Sequence, residues 1–196
     1  MDFALNDEQR EIREMVHDIC LERVEPRAAE IDESGEFPWD IKELFAKHDI
    51  LAIPFTPEYG GVSGSALTLI VAVEEISKFC ATSSLILSVQ SLGSLPIWLA
   101  GSEEQKRKYL PPLARGEQMA AFALTEPGSG SDAGGMRTRA IRRGETYVMN
   151  GSNHGRRRST SRASFPGTSR SCSRSTTSSP SPSRRSTVAS AAARSR

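Results

Sequence analysis

The sequence contains few residues of the types that bind metals or form disulfides. Among 196 residues there are three cysteines and three histidines, and neither a CxxC nor an HExxH motif occurs. Cys20, Cys80 and Cys172 form an odd and widely spaced set, which is atypical of a disulfide framework or a zinc site. We therefore expect no bound metal and a reducing, cytoplasmic environment.

The sequence also lacks the pattern of a secretory signal. A signal peptide begins with basic residues and continues with an uninterrupted apolar run, whereas acidic residues stand among the first residues here. The longest uncharged stretch, residues 81–102, contains Gln90, Gly93, Pro96 and several serines. This composition favours a buried helix of a soluble protein over a membrane span, so we expect no membrane partner.

Acidic residues are missing from the C-terminal part of the chain. Residues 156–196 contain ten arginines and neither lysine nor acid, whereas all 24 Asp and Glu lie at or before Glu145. The net charge of +1 thus divides into −9 before residue 156 and +10 after it. Because this second part also lacks Leu, Ile, Met, Tyr and Trp, it cannot bury enough apolar surface to offset its conformational entropy. We expect residues 153–196 to form a disordered, low-complexity tail.

Residues 1–118 are predicted to form a helical domain. Asn6 and Gln9 stand at the spacing of a capping box, and the apolar residues after them recur at helical intervals. Pro26 is expected to end or kink this first helix. Further helices are predicted at 38–48, 65–78, 84–99 and from 102 to about 110, where two prolines follow.

The hydrophobic period changes after residue 118. The apolar run 118–124 predicts a strand, and residues 137–142 and 146–150 flank Arg143-Gly144-Glu145, which predicts a hairpin. The fold class is therefore a mainly α-helical N-terminal domain followed by a truncated antiparallel β-domain over 119–152. A further strand should follow Asn150-Gly151, but the Arg/Ser-rich sequence there is not typical of one.

A loop rich in Gly and Ser follows the predicted strand, with the sequence ALTEPGSGSDAGG over residues 123–135. By composition alone it is a flexible linker or a turn. Glycines also permit positive φ and close backbone approach, which leaves N–H groups free to donate to an anionic or carbonyl-rich ligand.

This segment resembles the first signature of the acyl-CoA dehydrogenases, flavoproteins that oxidise acyl-CoA thioesters, and every constrained position of the signature matches. Three other stretches are similar to the family: Leu5 with Glu8-Gln9, the loop Pro57-Glu58-Tyr59-Gly60-Gly61, and residues 101–117. The resemblance covers about residues 1–152.

The resemblance implies an FAD cofactor and an acyl-CoA substrate. The residues that it implies for FAD are Phe122, Ala123, Leu124, Thr125, Gly130 and Ser131. Ser131 is also implied to contact the acyl-CoA, and Ser88, Val89 and Leu92 to line the acyl pocket, although an ordinary core role suits these three equally. Glu126 and Asp132 are interpreted as a loop brace and a cap, because the base of the family lies elsewhere.

The family reaction removes the α-proton of an acyl-CoA while the β-hydrogen leaves as hydride to the flavin, which gives a trans-2-enoyl-CoA. In relatives the base is a Glu of a C-terminal helical domain, and a strand carrying an aromatic residue, Ile and Thr follows the position of Gly151. Neither is found in this sequence. We therefore expect no catalytic residue, little FAD binding and a truncated, inactive chain. An electron-transfer flavoprotein would be the usual electron acceptor, and the homotetramer of the family is doubtful here.

An alternative function remains open. The helical domain could be a non-enzymatic scaffold whose basic tail binds nucleic acid or acidic partners, since ten arginines without acids attract phosphates. We consider nucleic acid the less favoured partner, because the tail begins inside a strand-forming segment and not at a domain boundary.

The composition of residues 156–196 predicts a shifted reading frame. The segment uses almost only Arg, Ser, Thr, Ala, Pro and Gly, a mixture that GC-rich DNA gives when it is read out of frame, whereas functional low-complexity tails usually include Lys or acids. Translating the other two frames of the encoding DNA from codons 152–156 onward should recover the missing strand and the rest of the β-domain. If neither frame continues the family pattern, the tail is genuine and the binding-protein interpretation gains support.

Overall fold

The computed structural model describes residues 4–144 and 146–151, together with the backbone of a strand at Ser159–Ser164. The described residues belong to two compact units, of which the first extends to Ala121 and the second starts at Phe122. The first is helical and the second contains an antiparallel sheet, so the predicted order of a helical domain and a β-domain is confirmed. The boundaries expected at residues 118 and 152 stay predictions.

Six α-helices build the first unit: α1 (Asp7–Ile19), α2 (Ala28–Ser34), α3 (Trp39–Lys47), α4 (Ala66–Phe79), α5 (Ala81–Ala100) and α6 (Glu103–Ala114). At the start of α1, the Asn6 side chain accepts from the N–H of Gln9 at 2.8 Å, and the Gln9 side chain accepts from the N–H of Asn6 at 3.1 Å. The predicted capping box is confirmed. Ser102 and Gln105 form the same box before α6.

Pro26 changes the helix type of the segment around it. After α1, Cys20–Val24 form a π-helical turn and Glu25–Arg27 a 3₁₀ turn before α2 begins. Proline has no N–H for an i→i−4 hydrogen bond and its ring crowds the preceding turn, so it disfavours regular α-helix, and here the π-helical and 3₁₀ turns take its place. The interruption of the first helix expected at Pro26 is confirmed.

Helix α6 continues through Pro111 and Pro112 to Ala114, whereas the sequence predicts an end at about Leu110. A proline inside a helix costs about 3 kcal/mol. Leu110 and Leu113 are both completely buried, and full burial of a leucine contributes roughly 1.5–3 kcal/mol. Tertiary packing therefore offsets much of the local cost and carries the helix past its prolines.

Two apolar clusters form the core of the helical unit. The larger joins α1, α3, α4 and α5 through fully buried side chains that include Val16, Phe45, Ile76 and Leu87. The smaller packs the loop before α4 against α6 and consists of Ala52, Phe55, Tyr59, Leu110, Leu113, Ala114 and Ala120.

Helix α5 is buried on one face only. Ile86, Leu87 and Gln90 are buried, but five large apolar side chains of the helix are exposed: Leu85, Leu92, Leu95, Trp98 and Leu99. Among the described residues, α5 is also the one helix long and apolar enough to cross a membrane, and 39% of its apolar window is buried. Core helices of soluble proteins satisfy the same length and composition. The expectation of a buried helix thus holds for one face.

The sheet of the second unit contains the predicted hairpin. Strands β1 (Arg139–Arg143) and β2 (Thr146–Gly151) pair antiparallel with Arg143 opposite Thr146, and Gly144 in the turn has a φ of +62°. A third strand, β3 (Ser159–Ser164), pairs antiparallel with the other edge of β2.

Strand β3 lies within the stretch that the sequence predicts to be disordered from residue 153. Backbone pairing with an open strand edge does not require apolar side chains, so an Arg/Ser-rich segment can extend the sheet. The disorder expected for residues 153–196 stays a prediction. The rest of the expected tail lies outside the described residues.

Residues 118–124 do not form the predicted strand. The described sheet has the order β1-β2-β3, and this segment has no place in it. Apolar composition identifies side chains that suit a sheet, but a strand exists only where a neighbouring strand supplies hydrogen-bond partners. Apart from a single bridge residue at Ala121, the segment is irregular, and no described strand pairs with it.

A buried carboxylate joins α1 to α4. The side chain of Glu75 is 4% exposed, with one oxygen 2.8 Å from His17 Nδ1 and the other accepting from Lys78 Nζ at 2.6 Å. Burial by itself raises the pKa of Glu75, but the hydrogen bonds from Lys78 and His17 outweigh it and lower the pKa below its usual range. The ionised carboxylate therefore stabilises the helical unit.

Replacing this carboxylate by an amide in Glu75→Gln should lower the free energy of unfolding by about 1–2 kcal/mol at neutral pH, because a charged acceptor is lost while its partners remain partly hydrated. The folded-state pKa of Glu75 is depressed, so its contribution is present above the unfolded-state pKa of about 4.3 and is lost as the pH falls through the folded-state pKa. Urea unfolding at neutral and acid pH measures both effects.

Glu74→Gln is the matched control, since Glu74 is the preceding residue and is exposed. Equal losses in the two variants, or a loss in Glu75→Gln that persists at acid pH, would show that the buried ion pair is not the cause.

Candidate functional site

The carboxylate of Glu126 closes the loop between residues 126 and 138. One oxygen accepts from the N–H of Arg137 at 2.8 Å and the other from the N–H of Thr138 at 2.9 Å. Glu126 is 8% exposed, and the hydrogen bonds from Thr138 and Arg137 lower its pKa. The structure thus gives Glu126 the bracing role that the sequence predicts.

Ser129 forms a tight turn within this loop. Glu126 and Ser129 exchange backbone hydrogen bonds of 2.9 and 3.1 Å across Pro127-Gly128. Ser129 is buried, and its hydroxyl donates to the carbonyl of Asp132. Gly130 and Ser131, which follow directly, are exposed. The turn therefore presents these two residues to solvent at the tip of a braced loop.

Asp132 does not cap the turn with its side chain. It stands at the N-cap position of the 3₁₀ turn Ala133–Gly135, but no hydrogen bond from its side chain caps that turn. The N–H of Gly135 donates instead to the backbone carbonyl of Asp132 at 3.1 Å. The predicted position is right and the predicted capping bond is wrong, because the backbone already satisfies the turn.

The four residues predicted to begin the flavin site, Phe122, Ala123, Leu124 and Thr125, are all exposed. Their backbone N–H and C=O groups make no hydrogen bond to another described residue. A run of exposed backbone groups with two large apolar side chains suits a flat, aromatic ligand with a polar edge, because one face can pack while the edge is hydrogen-bonded.

The loop also has room for a ligand. A Cβ built on Gly128 or Gly130 would meet no atom of a described residue within 4 Å, so packing within the described part of the protein requires neither glycine. Open space beside Gly130 and the exposed Ser131 hydroxyl fits a ligand that approaches the backbone closely. The residues of the second unit therefore fit the FAD that the family resemblance implies.

The three residues predicted for the acyl pocket lie on α5, in the first unit. Ser88 and Val89 are half-buried and Leu92 is 44% exposed. The Ser88 hydroxyl donates to the carbonyl of Ser84 at 3.0 Å, so its proton is already used within the helix. The surface that these residues offer is small and predominantly apolar.

The loop Pro57-Glu58-Tyr59-Gly60-Gly61 requires both of its glycines. Gly60 has a φ of +81°, and a Cβ on Gly61 would lie 1.8 Å from the carbonyl oxygen of Phe55. The Tyr59 hydroxyl donates to Glu103 at 3.1 Å, which ties this loop to the start of α6. The motif is therefore structural.

Two residues of α5 were not predicted to matter. Gln90 is completely buried and hydrogen-bonds the last turn of α6 and the chain after it, and Gly93 lies against Ala120. A single amide inside an uncharged helix is the signal that the sequence offers for such a contact.

The described residues contain no group of three or more His, Cys, Asp and Glu that could hold a metal ion. Burial raises the pKa of the Cys20 thiol to about 12, and Glu75 and Cys80 add to the effect. This cysteine is therefore protonated and unsuited to nucleophilic chemistry at neutral pH.

Comparison with known families gives a match to the model described as "Acyl-CoA dehydrogenase, N-terminal domain" over residues 6–117. A short-chain specific acyl-CoA dehydrogenase of Clostridium acetobutylicum is 47% identical over 153 residues. This alignment covers 78% of the chain and 40% of that relative, so the chain spans less than half the length of the curated relative that it matches.

Solved structures agree with the sequence comparison. A chain in the electron transferring flavoprotein structure from Acidaminococcus fermentans gives a TM-score of 0.73 at 36% identity, covering 77% of this chain and 40% of the other. An acyl-CoA dehydrogenase complexed with FAD from Bacillus anthracis gives 0.68 at 35% identity, covering 76% and 26%.

The brace at Glu126 makes a testable prediction. Glu126→Gln replaces one acceptor by an NH₂ group that faces a backbone donor, which should cost about 1–2 kcal/mol locally and speed hydrogen exchange at the Arg137 and Thr138 amides by roughly tenfold. Because the pKa of Glu126 is lowered, the wild-type protection of these amides should persist in mildly acid solution and fall once the pH passes below that pKa.

Asp132→Asn is the control, since this side chain is exposed and forms no cap. Protection factors from hydrogen exchange, corrected for intrinsic rates, make the comparison. Equal loss of protection in the two variants would mean that the loop is not braced by Glu126.

Proposed function

Since the chain belongs to the acyl-CoA dehydrogenase family, we propose that residues 122–131 form part of the site of an FAD-dependent acyl-CoA dehydrogenation. The observation that carries the proposal is the exposed segment Phe122–Thr125, whose backbone groups are free of described partners, followed by the loop that Glu126 braces. The segment coincides with the family signature, and the Bacillus anthracis relative was solved with FAD.

On this proposal the backbone of Phe122–Thr125 and the Thr125 hydroxyl hold the polar edge of the flavin. Gly130 allows close approach of the dinucleotide, and Ser131 donates from its hydroxyl and N–H. When bound, FAD supplies a hydride acceptor for the β-hydrogen of the substrate. The role of these residues is to bind FAD and to orient it.

The substrate is proposed to be an acyl-CoA thioester. The family resemblance is the support for two separate assignments: Ser131 in the second unit as a contact of the acyl-CoA, and Ser88, Val89 and Leu92 on α5 as residues of an acyl pocket. Ser88 suits this pocket because its hydroxyl donates a hydrogen bond to the backbone carbonyl of Ser84. The wall that it offers is therefore small and weakly polar. The product is the trans-2-enoyl-CoA, a step of fatty-acid β-oxidation and lipid metabolism.

We do not assign the catalytic base to a described residue. A thioester α-proton is weakly acidic, and its base must be a carboxylate whose pKa is raised by desolvation. The two buried carboxylates, Glu75 and Glu126, have lowered pKa values and use both oxygens in hydrogen bonds. Neither suits the role, which supports the proposal that this 196-residue chain alone does not turn over substrate.

An electron-transfer flavoprotein is the proposed electron acceptor, because a chain in the Acidaminococcus fermentans flavoprotein structure is similar to this one.

A shifted reading frame after residue 152 is the proposed origin of the basic tail, since the alignment with the clostridial relative extends over only 153 residues. We propose a cytoplasmic location, in keeping with the buried free thiols of Cys20 and Cys80.

Titration of the ¹⁵N-labelled chain with FAD tests the site, because amide shifts detect weak binding as well as tight binding. The amides of Phe122–Thr125, Gly130 and Ser131 should shift and those of Arg139–Arg143 should not. Thr125→Val and Ser131→Ala should each weaken the apparent affinity by about 2–10-fold, the equivalent of one hydrogen bond.

Ser77→Ala is the matched control, since it removes an exposed hydroxyl from α4. Absence of shifts at 122–131, or equal weakening in the control, would overturn the proposed site. Reduction of an artificial electron acceptor on addition of butyryl-CoA would instead overturn the proposal that the chain alone lacks a base.

A further inference from the structure

The side chain of Gln90 uses all of its hydrogen-bonding groups on one short segment. Its Nε2 donates to the carbonyl of Leu113 at 2.6 Å and to that of Gln118 at 3.0 Å, and its Oε1 accepts from the N–H of Ala120 at 2.8 Å. Gln90 is 0% exposed. A single buried amide on α5 therefore holds three points of the chain, one in the last turn of α6 and two between α6 and residue 120.

Gly93, one helical turn further along α5, permits the same segment to lie against the helix. A Cβ on Gly93 would be 2.7 Å from Ala120 Cβ and 2.9 Å from the backbone N of Ala121, and real Cβ atoms do not approach backbone so closely. Gln90 and Gly93 thus fix residues 118–121 by different means, one through hydrogen bonds and the other through close approach.

We propose that Gln90 is a positioning residue for the flavin segment, an inference that rests on the proposed function. The segment Phe122–Thr125 begins two residues after Ala120, and its own backbone groups make no hydrogen bonds to other described residues. Among the described residues, the segment is held on its N-terminal side by the stretch that Gln90 and Gly93 fix and on its C-terminal side by the turn that Glu126 braces. A preorganised segment binds its ligand without the cost of ordering it first.

The role requires an amide of this length. Methionine has a similar volume and makes none of the three hydrogen bonds. Glutamate can accept from the N–H of Ala120, but its carboxylate would face the carbonyl oxygens of Leu113 and Gln118. Burial beside acceptors raises the pKa of such a carboxyl group, so a glutamate at this position should restore one donated hydrogen bond only when it is protonated.

Two NMR measurements on the full chain test the proposal. Gln90→Met should lower the amide order parameters of residues 122–125 from about 0.85 to below about 0.6 without FAD, and should weaken FAD-induced shifts at least fivefold. Gln90→Glu should recover part of the wild-type order at low pH, where the buried carboxyl group is protonated and donates one hydrogen bond, and should lose this recovery as the pH rises. Gly93→Ala should have the same effect as Gln90→Met through steric displacement.

Two controls separate positioning from stability. Ser83→Ala removes a buried hydroxyl of α5 that lacks a described partner, and it should leave both readouts unchanged. Glu75→Gln destabilises the helical unit by changing the hydrogen bonds to His17 and Lys78, which are separate from those of Gln90. It should therefore lower the unfolding midpoint without affecting the order parameters of residues 122–125.

The outcomes are distinct. Three results would overturn the positioning role. The first is that the amides of residues 122–125 are already mobile in the wild type, and the second is that their order parameters are unchanged in both Gln90→Met and Gly93→Ala when these variants are folded. The third is that Glu75→Gln lowers these order parameters as much as Gln90→Met does. Loss of order in the variants without any response of the wild type to FAD leaves the positioning of the segment intact and refutes the proposed function. If a variant with lowered order parameters at residues 122–125 keeps the wild-type FAD-induced shifts, the link between positioning of the segment and FAD binding is refuted.

Discussion

Backbone amides and carbonyls outside helices and strands must still find partners where water is excluded, and between residues 113 and 138 two side chains provide them. Gln90 satisfies three backbone groups between Leu113 and Ala120, and Glu126 satisfies two at Arg137 and Thr138. The exposed residues 122–125 lie between these two anchored stretches of chain. Regular secondary structure contributes little there, so the conformation of the candidate site depends on two polar side chains and on the packing that buries them.

Local signals in the sequence were sufficient for the helical part of the fold. The capping box at Asn6 and the interruption of the first helix at Pro26 depend on a few neighbouring residues, and both are present as predicted. The end of α6 depended on packing, because burial of Leu110 and Leu113 carries the helix through two prolines. The prediction of a strand at 118–124 is wrong for a related reason, because apolar residues form a strand only where a neighbouring strand pairs with them.

Only part of the candidate site could likewise be predicted from the sequence. The signature located the loop, and the bracing role of Glu126 was predicted because the base of the family lies elsewhere. The roles of Gln90 and Gly93 could not be predicted, because each depends on contact with a segment about 30 residues away. A lone buried amide in an apolar helix is a signal for such a contact, since it cannot be buried without partners, but its partners remain unknown until the helices are packed.

Strand β1 stands at the outer edge of the described sheet, and three of its five residues are Arg139, Arg142 and Arg143. An open strand edge is a template for pairing with another molecule, and charges along it are a common protection against that pairing. Two copies of β1 that met edge to edge would bring their guanidinium groups together, and like charges on facing strands repel. The cationic edge therefore disfavours self-association through β1, and rising salt concentration, which screens this repulsion, weakens the protection.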